Sequence, residues 1–240
     1  MPVQITDSKA YTLLINSDYA EFARQLNKIG FKTELLSANI CLDLPVQKHA
    51  DMQFITLPNK TFVLPESHSL LTFLDTYNIC FEPTEKAEKS YPKDVLCNGK
   101  LIGNKLLCNT KTIDKKILNH AKDCGLNVIH VNQGYTGCST LKVNDNSIIT
   151  SDKSIYEASV KNNIDSLLIA EGFIKLNGYN HGFIGGCSGN INNEIIIFCG
   201  SLEKHPDKNR IRNFIIERNI SILEFEFELT DIGGIGIIDT

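Results

Sequence analysis

The sequence predicts an α/β fold built from five β-β-α-β units. Three observations predict it. A strand-turn-helix-strand segment recurs five times, its turn returning at intervals of 42 to 48 residues. A Gly or Asn stands at every helix exit, and a single strand without a partner unit closes the chain. A period of this size marks supersecondary units that bury their apolar faces against their neighbours.

The five segments are YTLLINSDYAEFARQLNKIGFKTELL, NKTFVLPESHSLLTFLDTYNICF, GNKLLCNTKTIDKKILNHAKDCGLNVIHV, DNSIITSDKSIYEASVKNNIDSLLI and NNEIIIFCGSLEKHPDKNRIRNFIIERNISILEF. Their turns are anchored at Ser17, Pro65, Asn109, Ser151 and Cys199. Helical stretches such as SLLTFLDTY and SIYEASVKN space apolar residues three to four apart, enough to cover one face of a sheet. The exits are Gly30, Asn78, Gly125, Asn163 and Asn219. Gly has no Cβ penalty at positive φ and Asn tolerates it, so both stop a helix and turn the chain. A further strand precedes each of several segments, making the hairpins MQFITL-PNK-TFVL, STLKV-NDN-SIIT and SGNI-NN-EIIIF, with Asn59, Asp145, Asn146, Asn192 and Asn193 at the corners. The C-terminal TDIGGIGIIDT matches the leading strands of earlier units, HGFIGGCSGNI and GYTGCSTLKV, yet no helix follows it. Pairing it with the first unit removes an exposed sheet edge, so a closed ring is expected over an open solenoid.

The 240 residues, 42% of them hydrophobic, are read as one domain over 1–240, with the polar run at 82–94 as a surface loop. A net charge of −4 lacks the basic field that phosphate backbones require, so no nucleic acid is expected as partner. The N-terminus shows no leader pattern and no apolar run reaches spanning length, which points to a cytoplasmic protein without membrane contact. The eight cysteines form no CxxC pair and are expected reduced, mostly as small core residues. The six histidines are too scattered for a metal site, and no phosphate-binding GxxxxGK[ST] occurs, so neither metal nor cofactor is expected.

The motifs VNQGYTGCST, GYNHGFIGGCSG, GSLEKHPD and LTDIGGIGII, set on five β-β-α-β units, resemble the pentein superfamily, the guanidino-group-modifying enzyme fold, in an uncharacterised bacterial branch. The resemblance spans the chain and implies a five-bladed α/β propeller around a pseudo-fivefold axis, closed by the C-terminal strand. In catalytic penteins it implies a Cys that attacks the guanidinium carbon, a His that shuttles protons, and carboxylates that hold the cationic nitrogens. A thiolate is needed because the delocalised guanidinium is a poor electrophile, and carboxylates because they pair with it bidentately.

His181, opening the fifth unit, stands where the resemblance puts the proton-transfer His. The final strand carries Ile235, Ile237 and Ile238 across the register where the resemblance puts the nucleophilic Cys. Isoleucine has no nucleophile, so a covalent mechanism needs another thiol. Cys187 is the best placed by sequence, beside His181 and a run of glycines; Cys138 holds the matching position one unit earlier, and Cys97 is a third. Each also reads as a small residue where strands converge. Asp51 opens the strand MQFITL with His49 beside it, and Asp231 precedes Gly233 and Gly234; these could grip a cation or serve as turn residues. Two functions follow. One is an enzyme, or a relative of one, holding a small guanidino or amino-acid-like cation through His49, Asp51, Cys138 and Asp231, with His181 and Cys187 as the reactive pair. The other is a non-catalytic interaction or scaffold protein using one face of the ring. Self-association is compatible with either.

Overall fold

The computed structural model describes residues 11–240; the N-terminal reading over residues 1–10 lies outside them. The described residues form five separate three-stranded sheets. Four are complete repeats of the expected unit, each a hairpin, a nine-residue helix and a last strand. The second sheet holds β3 (Phe54–Leu57), β4 (Lys60–Val63) and β5 (Phe81–Pro83), and the third holds β6 (Gly99–Ile102), β7 (Lys105–Cys108) and β8 (Asn127–His130). The fourth holds β9 (Thr140–Asn144), β10 (Ser147–Thr150) and β11 (Asp165–Leu168), and the fifth β12 (Ser188–Ile191), β13 (Ile195–Phe198) and β14 (Ser221–Leu223). In each, the leading strand pairs antiparallel with the middle one, which pairs parallel with the last.

The first sheet is made from both ends of the chain. Its own strands β1 (Tyr11–Asn16) and β2 (Thr33–Leu36) are joined by the C-terminal β15 (Gly236–Asp239), which pairs antiparallel with β1 in the register Leu13↔Ile237 and Thr12↔Ile238. The unpartnered strand of the sequence thus takes the place of a missing leading strand.

Local chemistry explains the repeat. The helices are α1 (Ala20–Lys28), the single turn α2 (Ala50–Gln53), then α3 (His68–Thr76), α4 (Lys115–Asp123), α5 (Lys153–Lys161) and α6 (Lys208–Ile216). Asp114 caps α4 by accepting from the Lys116 N–H, and Asp152 caps α5 by accepting from the Ile155 N–H. The five long helices end on Gly30 (φ 101°), Asn78 (52°), Gly125 (69°), Asn163 (56°) and Asn219 (58°), all left-handed as read from the sequence. Each buries one face, for example Phe22, Ala23 and Leu26 in α1 or Leu70, Phe73 and Leu74 in α3. The middle strands are the most deeply buried, β1, β10 and β13 along their whole length. Burying each such Leu or Ile contributes about 1.5–3 kcal/mol.

One local reading changes. Asp51 does not open β3: it sits in the single helical turn α2, whose Gln53 N–H bonds the His49 carbonyl, and the strand begins at Phe54. At the β9–β10 corner Asp145 and Asn146 turn the chain without the positive φ that Asn59, Asn192 and Asn193 adopt, and the pairing shifts register between Ser147 and Ile148.

Candidate functional site

The loops that precede the leading strands are tied to one another by hydrogen bonds. The Asp51 N–H donates to the Gly233 carbonyl at 2.9 Å, and Asn98 Nδ2 donates to the Asp51 carbonyl at 3.0 Å. Asn98 Oδ1 accepts from the Gly137 N–H at 2.7 Å. The Gly186 N–H donates to the Cys138 carbonyl at 3.0 Å, and the Ile232 and Gly234 N–H groups converge on the Gly186 carbonyl at 2.9 and 2.7 Å. Glycine is required here by close approach: a Cβ on Gly186 would lie 2.2 Å from an Asp231 oxygen, and one on Gly233 would lie 2.3 Å from His49.

Inside this layer His49 stands between two carboxylates. Its Nδ1 is 3.9 Å from Asp231 Oδ1 and 4.0 Å from Asp51 Oδ1. Asp231 is buried; its Oδ1 accepts from the Gly233 N–H and its Oδ2 from the Phe183 N–H, both at 2.9 Å. Burial pushes the Asp231 carboxyl up to about 6, with neighbouring His49 opposing the rise and the Asp51 charge adding to it. Neither Asp51 oxygen has a hydrogen-bond partner among the described residues.

Two cavities meet at this cluster. One, of about 280 Å³, is lined by His49, Cys138 and Asp231 together with Tyr135, Tyr179, His181 and Phe183. Its aromatic walls are braced from outside: Tyr135 donates to Asp94 Oδ2 at 2.5 Å, Tyr179 donates to Asp43 Oδ2 at 3.2 Å, and the Tyr135 and Phe183 rings stack with centroids 6.2 Å apart. His181 Nε2 meets Glu171 Oε1 at 3.0 Å. The other cavity, of about 290 Å³, includes Asp51 and residues of all five leading strands, among them Thr56, Lys100, Lys142, Asn190 and Ile237.

The residues singled out in the sequence separate accordingly. His49, Cys138, His181 and Asp231 come together around the first cavity, and Asp51 lines the second. Cys187 joins neither. It is fully buried, its thiol donates to the Ile184 carbonyl at 3.3 Å, and burial raises its pKa well above the ordinary value, as do Cys199 and Asp231. The expected Cys187–His181 pair is therefore not formed; His181 bonds Glu171 and the Gly182 carbonyl instead. Cys97 is likewise buried and its pKa raised by burial. Cys138 is the one cysteine on the aromatic cavity's wall. Burial, with Asp51 and Asp231 adding to it, raises its thiol pKa too, and Asn98 Nδ2 donates to its sulfur at 3.0 Å.

The aromatic side chains were not foreseen. Their signal was present, since Tyr135, Tyr179 and Phe183 flank the glycine motifs that carry Cys138 and His181. Among the described residues no group of three or more His, Cys, Asp or Glu is arranged to hold a metal, and no helix is long and apolar enough to cross a membrane.

A family model described as a family of unknown function (DUF6873) matches residues 14–236. The chain belongs to that family. No curated protein matches it by sequence. Three of the solved structures that match it do so over nine tenths or more of both chains. SxtG, an amidinotransferase from Microseira wollei in the saxitoxin biosynthetic pathway, is 9% identical, with a TM-score of 0.58 over 96% of this chain and 96% of that one. DDAH from Pseudomonas aeruginosa, a mutant complexed with citrulline, is 10% identical, with a TM-score of 0.56 over 97% and 99%. The N-terminal domain of ArgZ, a cyanobacterial arginine dihydrolase of the ornithine–ammonia cycle, solved bound to substrate, is 8% identical, with a TM-score of 0.59 over 90% and 92%. All are pentein-superfamily members, as the sequence motifs implied, and this chain has their fold. At such identities the likeness carries the fold alone.

Proposed function

We propose that this chain is a closed pentein ring that binds a small organic cation, guanidino or amino-acid-like, in the cavity walled by Tyr135, Tyr179, His181 and Phe183. The pairing of β15 with β1 and the hydrogen bonds running from loop to loop through Asp51, Asn98, Gly137, Gly186 and Gly233 support the closed arrangement. One observation carries the ligand: the Asp231 carboxylate, held by two backbone N–H groups, lines a cavity that Tyr135, Tyr179, His181 and Phe183 also line. Such a cage attracts a cation through the ring quadrupoles and pairs it with a buried anion.

Binding without thiol chemistry fits the cysteines. Ile235, just before the last strand, and Ile237 and Ile238 on it stand where the resemblance puts the nucleophile. Cys138, the cavity's own thiol, is kept protonated by burial and by two carboxylates, which disfavours the thiolate that attack requires. The second reading, a protein-interaction face, draws on the strongly exposed Ile40 and Leu44, 71% and 78% accessible.

Calorimetric titration with arginine, agmatine and methylguanidine tests the first reading. A bound cation favours ionised Asp231, whose free carboxyl keeps its proton up to about 6. Binding therefore releases a proton near that pH, and affinity tightens as pH rises through about 6 and then levels off. Asp231→Asn removes both the affinity and its pH dependence. Absence of binding by every probe, or affinity that is flat with pH, overturns the assignment.

A further inference from the structure

The second cavity holds a cation that no described residue neutralises by contact. Lys100, on β6, makes no hydrogen bond or ion pair among the described residues, and its nitrogen is not among the buried unpartnered polar atoms, so it faces open space in the cavity it lines. Lys142, on the adjacent β9, lines the same cavity and adds its own positive charge beside Lys100. Its ammonium spends one contact on the exposed Asp145, 2.7 Å away, which leaves donors free. Burial and the Lys142 charge lower the Lys100 pKa, while Asp51 opposes them; an added anion acts in the same direction as Asp51.

We propose that this cavity is a second binding site, separate from the cation cage, and that it takes a small organic monocarboxylate with an aliphatic tail. The charged lining residues are Lys100, Lys142 and Asp51, two cations and one carboxylate, which leaves room for a single negative charge. A doubly charged phosphate would set its second charge against Asp51. The tail has its surface in Ile55, Leu101, Leu141 and Ile237, apolar side chains on the same walls. The carboxylate accepts from the two ammonium groups, and each methylene laid on the apolar wall tightens binding by about fourfold.

Amide chemical-shift titration of the wild-type protein with butyrate, acetate, butyramide and inorganic phosphate tests this. Butyrate is expected to shift Gly99, Gly189 and Gly236, which line this cavity, and to leave Tyr179 and His181 of the other cavity unmoved. It should bind roughly fifteenfold tighter than acetate, and Lys100→Gln should weaken it roughly tenfold. The site is overturned if butyramide matches butyrate, if phosphate outcompetes it, if the shifts fall on the Tyr179 side, or if no shift occurs. Wild-type affinity in a folded Lys100→Gln protein overturns it equally. The wild-type comparison of butyrate with butyramide requires no variant, and these outcomes are independent of whether arginine or agmatine binds in the aromatic cavity.

Discussion

The two cavities have nearly the same volume, about 280 and 290 Å³, and meet at a histidine flanked by two aspartates, yet their chemistry is opposite. The first is built by loops: Tyr135, Tyr179, His181 and Phe183 lie outside the strands, and with Asp231 they make an aromatic, acidic enclosure. The second is built by the leading strands, whose glycines at 99, 189 and 236 let neighbouring side chains pack close and whose lysines supply positive charge. The difference teaches that the repeat sets the scaffold and the departures from it set the ligand. A strand face can contribute only what its alternation presents, whereas loops can bring an Asp from the last unit beneath a Phe from the one before.

The sharpest way to break this division is at the layer both cavities share. Gly233→Ala forces a side chain onto a residue at φ 86° and drives its Cβ against the His49 backbone. It should cost on the order of 3 kcal/mol in denaturant unfolding and weaken both sites together. If only one site responds, the cavities do not share the layer. A smaller and one-sided effect is expected from Tyr179→Ala, which removes an aromatic residue that is 46% exposed and whose hydroxyl is tethered to Asp43. Cation affinity should fall by about 1 kcal/mol, with butyrate binding in the other cavity unchanged. The smallest expected signal is in the thiols. Brief iodoacetamide treatment at neutral pH, read by mass spectrometry, should modify exposed Cys80 first and leave Cys97, Cys138 and Cys187 untouched. Rapid labelling of Cys138 would restore covalent chemistry to the aromatic cavity and end the contrast between a binding cage and a reactive site.

Much of the fold was legible because it is written locally. Asn78, Asn163 and Asn219 take the left-handed conformation that their residue type favours, wherever the rest of the chain goes. The fate of β15 was legible for a related reason: its motif matched leading strands, and only one unit lacked one. The site was legible in part. His49, Cys138, His181 and Asp231 share a cavity, but Cys187, in the same Gly-Cys-Ser setting as Cys138, does not. The two are separated by their neighbours across the chain. Asn98 Nδ2 donates to the sulfur of Cys138, whose thiol donates to Met52 Sδ, whereas Cys187 turns its thiol back to Ile184 and packs among core residues of the fourth and fifth units.

By itself, then, the sequence determined the number of units, the positions of their caps and corners, and the pairing of the last strand, because each depends on residue type within a few positions or on the periodicity of the repeat. Tertiary structure alone decided which thiol meets a cavity, that Asp231 is buried between backbone donors with a carboxyl raised to about 6, and that Lys100 forms no ion pair among the described residues. Those properties come from burial and from partners up to 182 residues away, such as Gly233 against Asp51, and a field summed over distant groups has no local signature in the chain.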